Sequence, residues 1–586
     1  MNRTFTSDFF RRMLCLGLVL VLLLTIVGCT PAPATDPDPG TQPTQPTTQP
    51  TQPTMPPTEP TTQPTTPPTT PPTEPTTQPT TQPKPTQTRR KLVYELTQED
   101  VDEFYRLLAE CEALSLEGTD LEAIDEITVL LDEQYEYLAA QRSIANILHM
   151  CDLSKQDLND QYLDSVNIFM DAYDAYMEMT RRVYLSDTPA KDHLFEDWTE
   201  ADIAMLLAYE GEIAELSARN DEITEEYRTT EMDELRIPLY IEFVQNNNRI
   251  AQLYGYDNYY EYAYEMVYGR DYGAEEVEHI RAYAKKYLVA AYDKALRNYN
   301  ISRAELSDAE DYVFVDFVTS RFDKTRKKYV NLYLDAMPES MAEHMYQMIK
   351  VDSVFANSKH SDEGAFTTTI GDTSFCYFGP GQYSSSSTVI HEAGHYYASR
   401  YTDLGAIPLD LAETHSQGNE WLFAHFLKDH IAAKPYKTTI NYRLYNDLWT
   451  IMISLFIDEF EQRVYTTDIS GYTAEDFDAL MESVCTQYFA MSYVNHDIVD
   501  INGMWRQIVV DQPVYYLSYG MSAMASIDLY TMALEDFDAA IAAYQTLCEQ
   551  PLEDEGFLGN LAAAGLNGPF DEEFYIELTQ ILASRG

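Results

Sequence analysis

From Leu92 onward, apolar residues return every three or four positions, as in LTQEDVDEFYRLLAECEAL and EEVEHIRAYAKKYLVAAYDKAL. This period confines the chain to packed amphipathic helices, because a half-buried strand needs its apolar side chains at every second residue. The predicted fold class is therefore mainly α. One departure lies at residues 365–379, where AFTTTI and TSFCYFG flank Gly371-Asp372, two β-rich runs around a turn signal. A small hairpin or sheet edge is expected there. Gly379, Pro380 and Gly381 end it, and the serines from Ser384 to Ser387 offer caps for a helix running from Thr388 to Tyr401. No internal repeat occurs in this part of the chain.

The first 90 residues do not share the helical pattern. Residues 1–29 begin with Arg3, Arg11 and Arg12, continue as an apolar run from Met13 to Val27 and end at Cys29. That run is shorter than the roughly 20 residues of a spanning helix and reads as an export signal. Ile26-Val27-Gly28-Cys29 resembles a bacterial lipobox, which implies cleavage before Cys29 and a lipid on its thiol. Residues 30–90 are almost wholly Thr, Pro and Gln, with too few apolar side chains to offset the entropy of ordering. They are expected to form an extended stalk reaching up to about 190 Å at roughly 3.1 Å per residue. The remainder divides softly near residue 350, into a helical region 91–350 and a catalytic region 351–586. The expected location is outside the cytoplasmic membrane, held there by the lipid.

Composition excludes two classes. The formal charge of −56 argues against nucleic acid, which is bound by clustered Lys and Arg. Of the seven cysteines, five follow the signal, namely Cys111, Cys151, Cys376, Cys485 and Cys548, far apart and without C-x-x-C spacing. Neither a disulfide framework nor a cysteine-held zinc is expected.

The chemistry concentrates in HEAGH, residues 391–395. On a helix, positions i and i+4 share a face, so His391 and His395 can direct imidazole nitrogens at one ion, with Glu392 beside a water on that ion. The metzincin continuation fails, because Ala398 and Tyr401 stand where that pattern needs Gly and His. Further on, Gly405 and Pro408 break the helix, and Asp410 can cap a second one, DLAETHSQGNEWLFAHFLKDH. Its Glu413, 18 residues past His395, reaches the ion if the two helices form a hairpin. His415 and Glu420 are the competing candidates; His415 is too close in sequence to share the helix face of Glu413, Glu420 shares it at i+7, and both are expected to support from behind the ligands. Two His, one Glu and a water make the open arrangement of a catalytic zinc, Zn2+, one per chain.

HEAGH followed by A-E-T-H-S-Q-G-N-E resembles the active-site pair of the thimet oligopeptidase and oligoendopeptidase F family, whose second segment reads E-x-x-S-x-x-x-E. Pro513-Val-Tyr-Tyr-Leu-Ser-Tyr519 resembles the family's P-F-Y-Y-I-D-Y. The resemblance spans about residues 360–530 and implies a helical bowl with a small β-sheet edge beside the active-site helix. It also implies Glu413 as the third zinc ligand, Tyr519 as a donor to the oxyanion, and peptide bound along the strand edge. Short oligopeptides are the implied substrates, hydrolysed by a metal-activated water with Glu392 as general base. Two features depart from the family. The connection from His395 to Glu413 is about six residues shorter, and Ile508 stands near where a histidine is usual, with none between His496 and Tyr519. Two alternatives stay open: a catalytically weak or inactive peptide-binding lipoprotein, and a zinc dipeptidyl carboxypeptidase similar to angiotensin-converting enzyme.

Overall fold

The computed structural model describes residues 89–586 except 197, 209–210, 231, 308–309, 311–326, 403–406, 490–503, 509, 511, 553–554 and 585–586. The expected export signal, Cys29, the Thr/Pro/Gln segment up to 88, Gly405 and His496 lie outside the described residues. So does the side chain of Ile508, at the end of the short helix Trp505–Ile508.

The chain is mainly α, with one small sheet. Three helices come first: α1 (Gln98–Glu117), α2 (Leu121–Cys151) and α3 (Gln156–Leu185). Thr97 and Asp100 form a capping box that starts α1, and the side chain of Asp120 caps α2. The three helices pack on one another around Phe104, Leu131, Tyr135, Phe169 and Tyr176. A second and larger core runs from Ile223 to Leu582 and contains the apolar faces of five helices that matter for the site. These are α4 (Ser386–Ala398), α5 (Leu409–Phe426), α6 (Ala433–Thr466), α7 (Leu517–Glu535) and α8 (Phe537–Glu549). Helix α5 packs against α4, α7 and α8, and α7 also packs against α6. Among the described residues no helix is long and apolar enough to cross a membrane.

The expected hairpin is present as β2 (Ala365–Ile370) and β3 (Thr373–Phe378), following a short β1 (Ser353–Phe355). The strand order is β1-β3-β2, with β1 parallel and β2 antiparallel to β3, and Cys376 opposite both Ser353 and Thr367. The pleat sorts β3 between two environments. Cys376 and Phe378 join the large core on the side of α4, while Phe375 and Tyr377 pack with Ile147 of α2. The sheet is thus the layer between the leading helices and α4.

Arg90, at the start of the described chain, is fastened to this sheet. Its N–H donates to Val351 O at 2.9 Å, its Nη1 donates to Thr373 Oγ1 at 2.6 Å, and its Nη2 pairs with Asp352 Oδ1 at 2.9 Å. Asp352 in turn accepts a 2.8 Å hydrogen bond from Tyr396 of α4.

Candidate metal centre and active site

Helix α4 begins where the serines predict: Ser385 is the N-cap and accepts from the N–H of Thr388. The helix ends at Ala398, three residues before the expected Tyr401. Asp410 does not cap α5. Pro408 occupies the cap position, and the Asp410 carboxylate in the first turn instead accepts a hydrogen bond from Tyr272.

The two helices lie in direct backbone contact. A Cβ on Gly394 would stand 2.4 Å from His415 O and 2.8 Å from Ser416 Cα, so HEAGH needs glycine at its fourth position for α4 to touch α5. That approach forms the site. His391, His395 and Glu413 are all buried and bring one ligand atom each within 4.8 Å of one another. His391 Nε2 and His395 Nε2 are both 3.8 Å from Glu413 Oε2. These separations are close to the roughly 3.3 Å edge of a tetrahedron with bonds of about 2.0–2.1 Å. His391 Nε2 is buried and has no hydrogen-bond partner among the described residues, which is costly unless something else occupies it. Two imidazoles and a carboxylate around such an orphaned nitrogen fit a zinc ion.

The surrounding side chains hold the group in place. Ser416, one turn along α5, donates to Glu413 Oε2 at 3.1 Å. Glu420 Oε2 lies 3.4 Å from His391 Nδ1, and Arg443 of α6 is 3.2 Å from Glu420 Oε1. Burial alone would raise the Glu420 carboxyl, but Arg443, then His391, hold it well below the usual carboxylate range. A carboxylate against the far nitrogen of a ligand histidine fixes the ring's orientation and tautomer. Arg443 was not legible in the sequence, because it sits 23 residues from Glu420 on another helix. Its guanidinium also lies 5.0 Å over the Trp421 ring.

Glu392 is buried beside the group, and Thr367 of β2 donates to its Oε2 at 2.8 Å. Burial chiefly pushes this carboxyl up to about 7, against the opposing pull of His391 and Thr367. His415 does not join the site. Its Nε2 hydrogen-bonds the Leu547 carbonyl of α8 at 3.0 Å, and burial pushes it down to about 4, so it is a neutral donor to that carbonyl.

Tyr519 stands on the first turn of α7, half-buried, and accepts a 3.0 Å hydrogen bond from Tyr515. Helix α7 packs along α5, which carries Glu413. All five cysteines after the leading segment are free thiols.

Fold and site together define a helical protein in which a His-Glu-x-x-His helix and a glutamate-bearing helix meet beside a small sheet. No protein-family model matches the sequence, and no curated protein matches it. Solved structures do. PZ peptidase A with a bound inhibitor matches with a TM-score of 0.63 at 18% identity, over 84% of this chain and 99% of its own. A Bacillus anthracis protein assigned as an oligoendopeptidase F matches with a TM-score of 0.61 at 15% identity, over 84% of this chain and 97% of its own. A further structure assigned as an oligoendopeptidase F gives 0.62 at 17% identity, over 84% of this chain and 97% of its own. The chain has the fold of these oligoendopeptidase-F-type peptidases.

Proposed function

We propose that the protein is a zinc-dependent endopeptidase of the oligoendopeptidase F family, acting on short peptides. The observation that carries this reading is the convergence of His391, His395 and Glu413 on one point with Glu392 alongside, inside a fold shared with peptidases. Zinc held there supplies a Lewis acid that lowers the pKa of a water and polarises a peptide carbonyl. Glu392, kept in place by Thr367, takes the proton from the attacking water and passes it to the departing amine. Tyr519 donates to the oxygen on which charge develops, a contribution of about 3 kcal/mol for one such donor. Strand β2 pairs only with β3 among the described residues, so its outer edge offers backbone groups to an extended peptide. In the same reading, residues 1–29 export the protein and Cys29 carries a lipid. Residues 30–90 are the stalk, and regions 91–350 and 351–586 form the peptidase at the cell surface.

Zinc analysis and product mapping with blocked and unblocked oligopeptides test the proposal. Internal cleavage of a peptide blocked at both ends, dependent on zinc, is the expected result. Release of C-terminal dipeptides from unblocked peptides alone would mean a dipeptidyl carboxypeptidase. Zinc and peptide binding without cleavage of any peptide would mean a binding protein.

A further inference from the structure

Val514, the second residue of the Pro513–Tyr519 segment, has a φ of 67°, and no other non-glycine residue described has a positive φ. For a β-branched residue this is an outlier, one that persists only where the surroundings over-determine it. Three buried side chains from distant parts of the chain do so. Glu461 of α6 accepts from the N–H of Val514 at 2.9 Å. Arg270 Nη2 donates to the Val514 carbonyl at 3.0 Å and to Ser518 Oγ at 3.1 Å, joining the turn to the residue before Tyr519. Tyr268 donates to the Pro513 carbonyl at 2.7 Å. The Arg270 guanidinium is itself pinned, 4.4 Å from the Tyr264 ring centre and 4.7 Å from that of Tyr268. Glu461 is 1% exposed, and its second oxygen has no hydrogen-bond partner among the described residues.

We propose that Arg270 and Glu461 are positioning residues for the reaction: gripping Val514 by its two peptide groups, they hold it left-handed and thereby fix where Tyr515 and Tyr519 stand. The inference rests on the reading of Tyr519 as a donor to the developing oxyanion. A turn released from this grip would let Val514 relax to negative φ, rotating the chain that leads into α7. The Tyr519 hydroxyl would then lose its fixed place while the zinc-site side chains, on α4 and α5, kept theirs. Turnover should therefore suffer more than peptide binding or metal content.

The test uses the full-length protein and the variants Arg270→Met and Glu461→Leu, each alone and combined with Val514→Gly. Both single variants are expected to lower kcat on a blocked oligopeptide by on the order of tenfold or more, with KM changed less than about twofold and zinc retained. Glu461→Gln, which keeps an oxygen to accept from Val514, should retain most of kcat. Glycine takes a φ near 67° without a Cβ clash, so Val514→Gly should restore much of the lost kcat in both clamp variants. A purely structural loss at Arg270 or Glu461 would not be repaired in this way. Unchanged kcat in the single variants, or no recovery in the doubles, would overturn the proposal. Amide exchange of the peptide spanning 512–520 reads the clamp without turnover, and it should rise in both single variants. Unaltered exchange overturns the clamp whether or not peptides are cleaved. Raised exchange in the single variants of a parent protein that cleaves nothing would leave the clamp standing and remove the peptidase reading.

Discussion

Gly394→Ala tests how the metal site is built. By intrinsic propensity alone, alanine in a helix interior stabilises by about 1 kcal/mol relative to glycine. The structure reverses that sign. The new Cβ would stand 2.4 Å from His415 O, at least 0.6 Å inside the 3.0 Å below which real Cβ contacts essentially never fall, and 2.8 Å from Ser416 Cα. Both are backbone atoms of a buried helix, with no side-chain rotation to relieve them. Helices α4 and α5 must therefore part by about half an ångström or more, whereas metal–ligand distances tolerate about 0.2 Å. His391 and His395 ride on one helix and Glu413 on the other, so the whole displacement falls across the ligand set. The expected outcome is a net loss of roughly 1–3 kcal/mol in zinc-free stability. Zinc affinity should weaken on the order of 10- to 100-fold, the range seen when the support of a ligand is disturbed. Denaturant unfolding in chelator and competition against a chromophoric zinc chelator measure the two. A variant that is as stable as the parent or more so, and binds zinc equally well, would refute the close-contact account.

Replacing Glu392 by Gln should leave zinc bound and lower peptide turnover by on the order of 100-fold or more, and parent-like hydrolysis would remove it as the base. Glu413→Ala should weaken zinc binding, measured by the same competition, far more than Glu420→Ala, and the opposite order would transfer the ligand role to Glu420. Glu461 gives a pH signature: burial chiefly lifts its carboxyl from 4.5 to about 8 in the folded protein, so between those values the unfolded chain binds fewer protons and stability falls as pH rises. Glu461→Gln should flatten that decline by a few kcal/mol, since each tenfold difference in proton affinity between the folded and unfolded chain is worth about 1.4 kcal/mol. Urea unfolding of both proteins in chelator at pH 5, 6.5 and 8 checks it, with parallel pH profiles as the refuting result.

Much of this was legible in the chain because its causes are local. Helical period, the serine cap of α4 and the i, i+4 histidines are set within a few residues, and the Gly371-Asp372 hairpin likewise. Glu413 could be read because a helix hairpin brings its segment back to HEAGH and because A-E-T-H-S-Q-G-N-E resembles the family segment whose first glutamate is the ligand. Strand β1 escaped notice, since three residues are too few to display an alternation. Asp410 looked like a cap by residue type, but its pairing with Tyr272, 138 residues earlier, belongs to tertiary structure. Arg443 behind Glu420, Thr367 on Glu392 and the Arg270–Glu461 grip share that origin. Each is a polar partner supplied by an element distant in sequence, and no local pattern marks it. His415, off the ligand face as its position in the helix implies, was expected to support from behind the ligands, and its ring instead hydrogen-bonds the Leu547 carbonyl of α8.

The fastening of Arg90 decides where mechanical load enters the molecule. Arg90 is set by its guanidinium and its backbone amide against Val351, Asp352 and Thr373, and Arg89 beside it donates to Ile349 O at 3.3 Å. Asp352 is the shared joint, for it also grips Tyr396, the residue directly after His395. A displacement applied at Arg90 is thus delivered to the sheet and, through Asp352 and Tyr396, to α4.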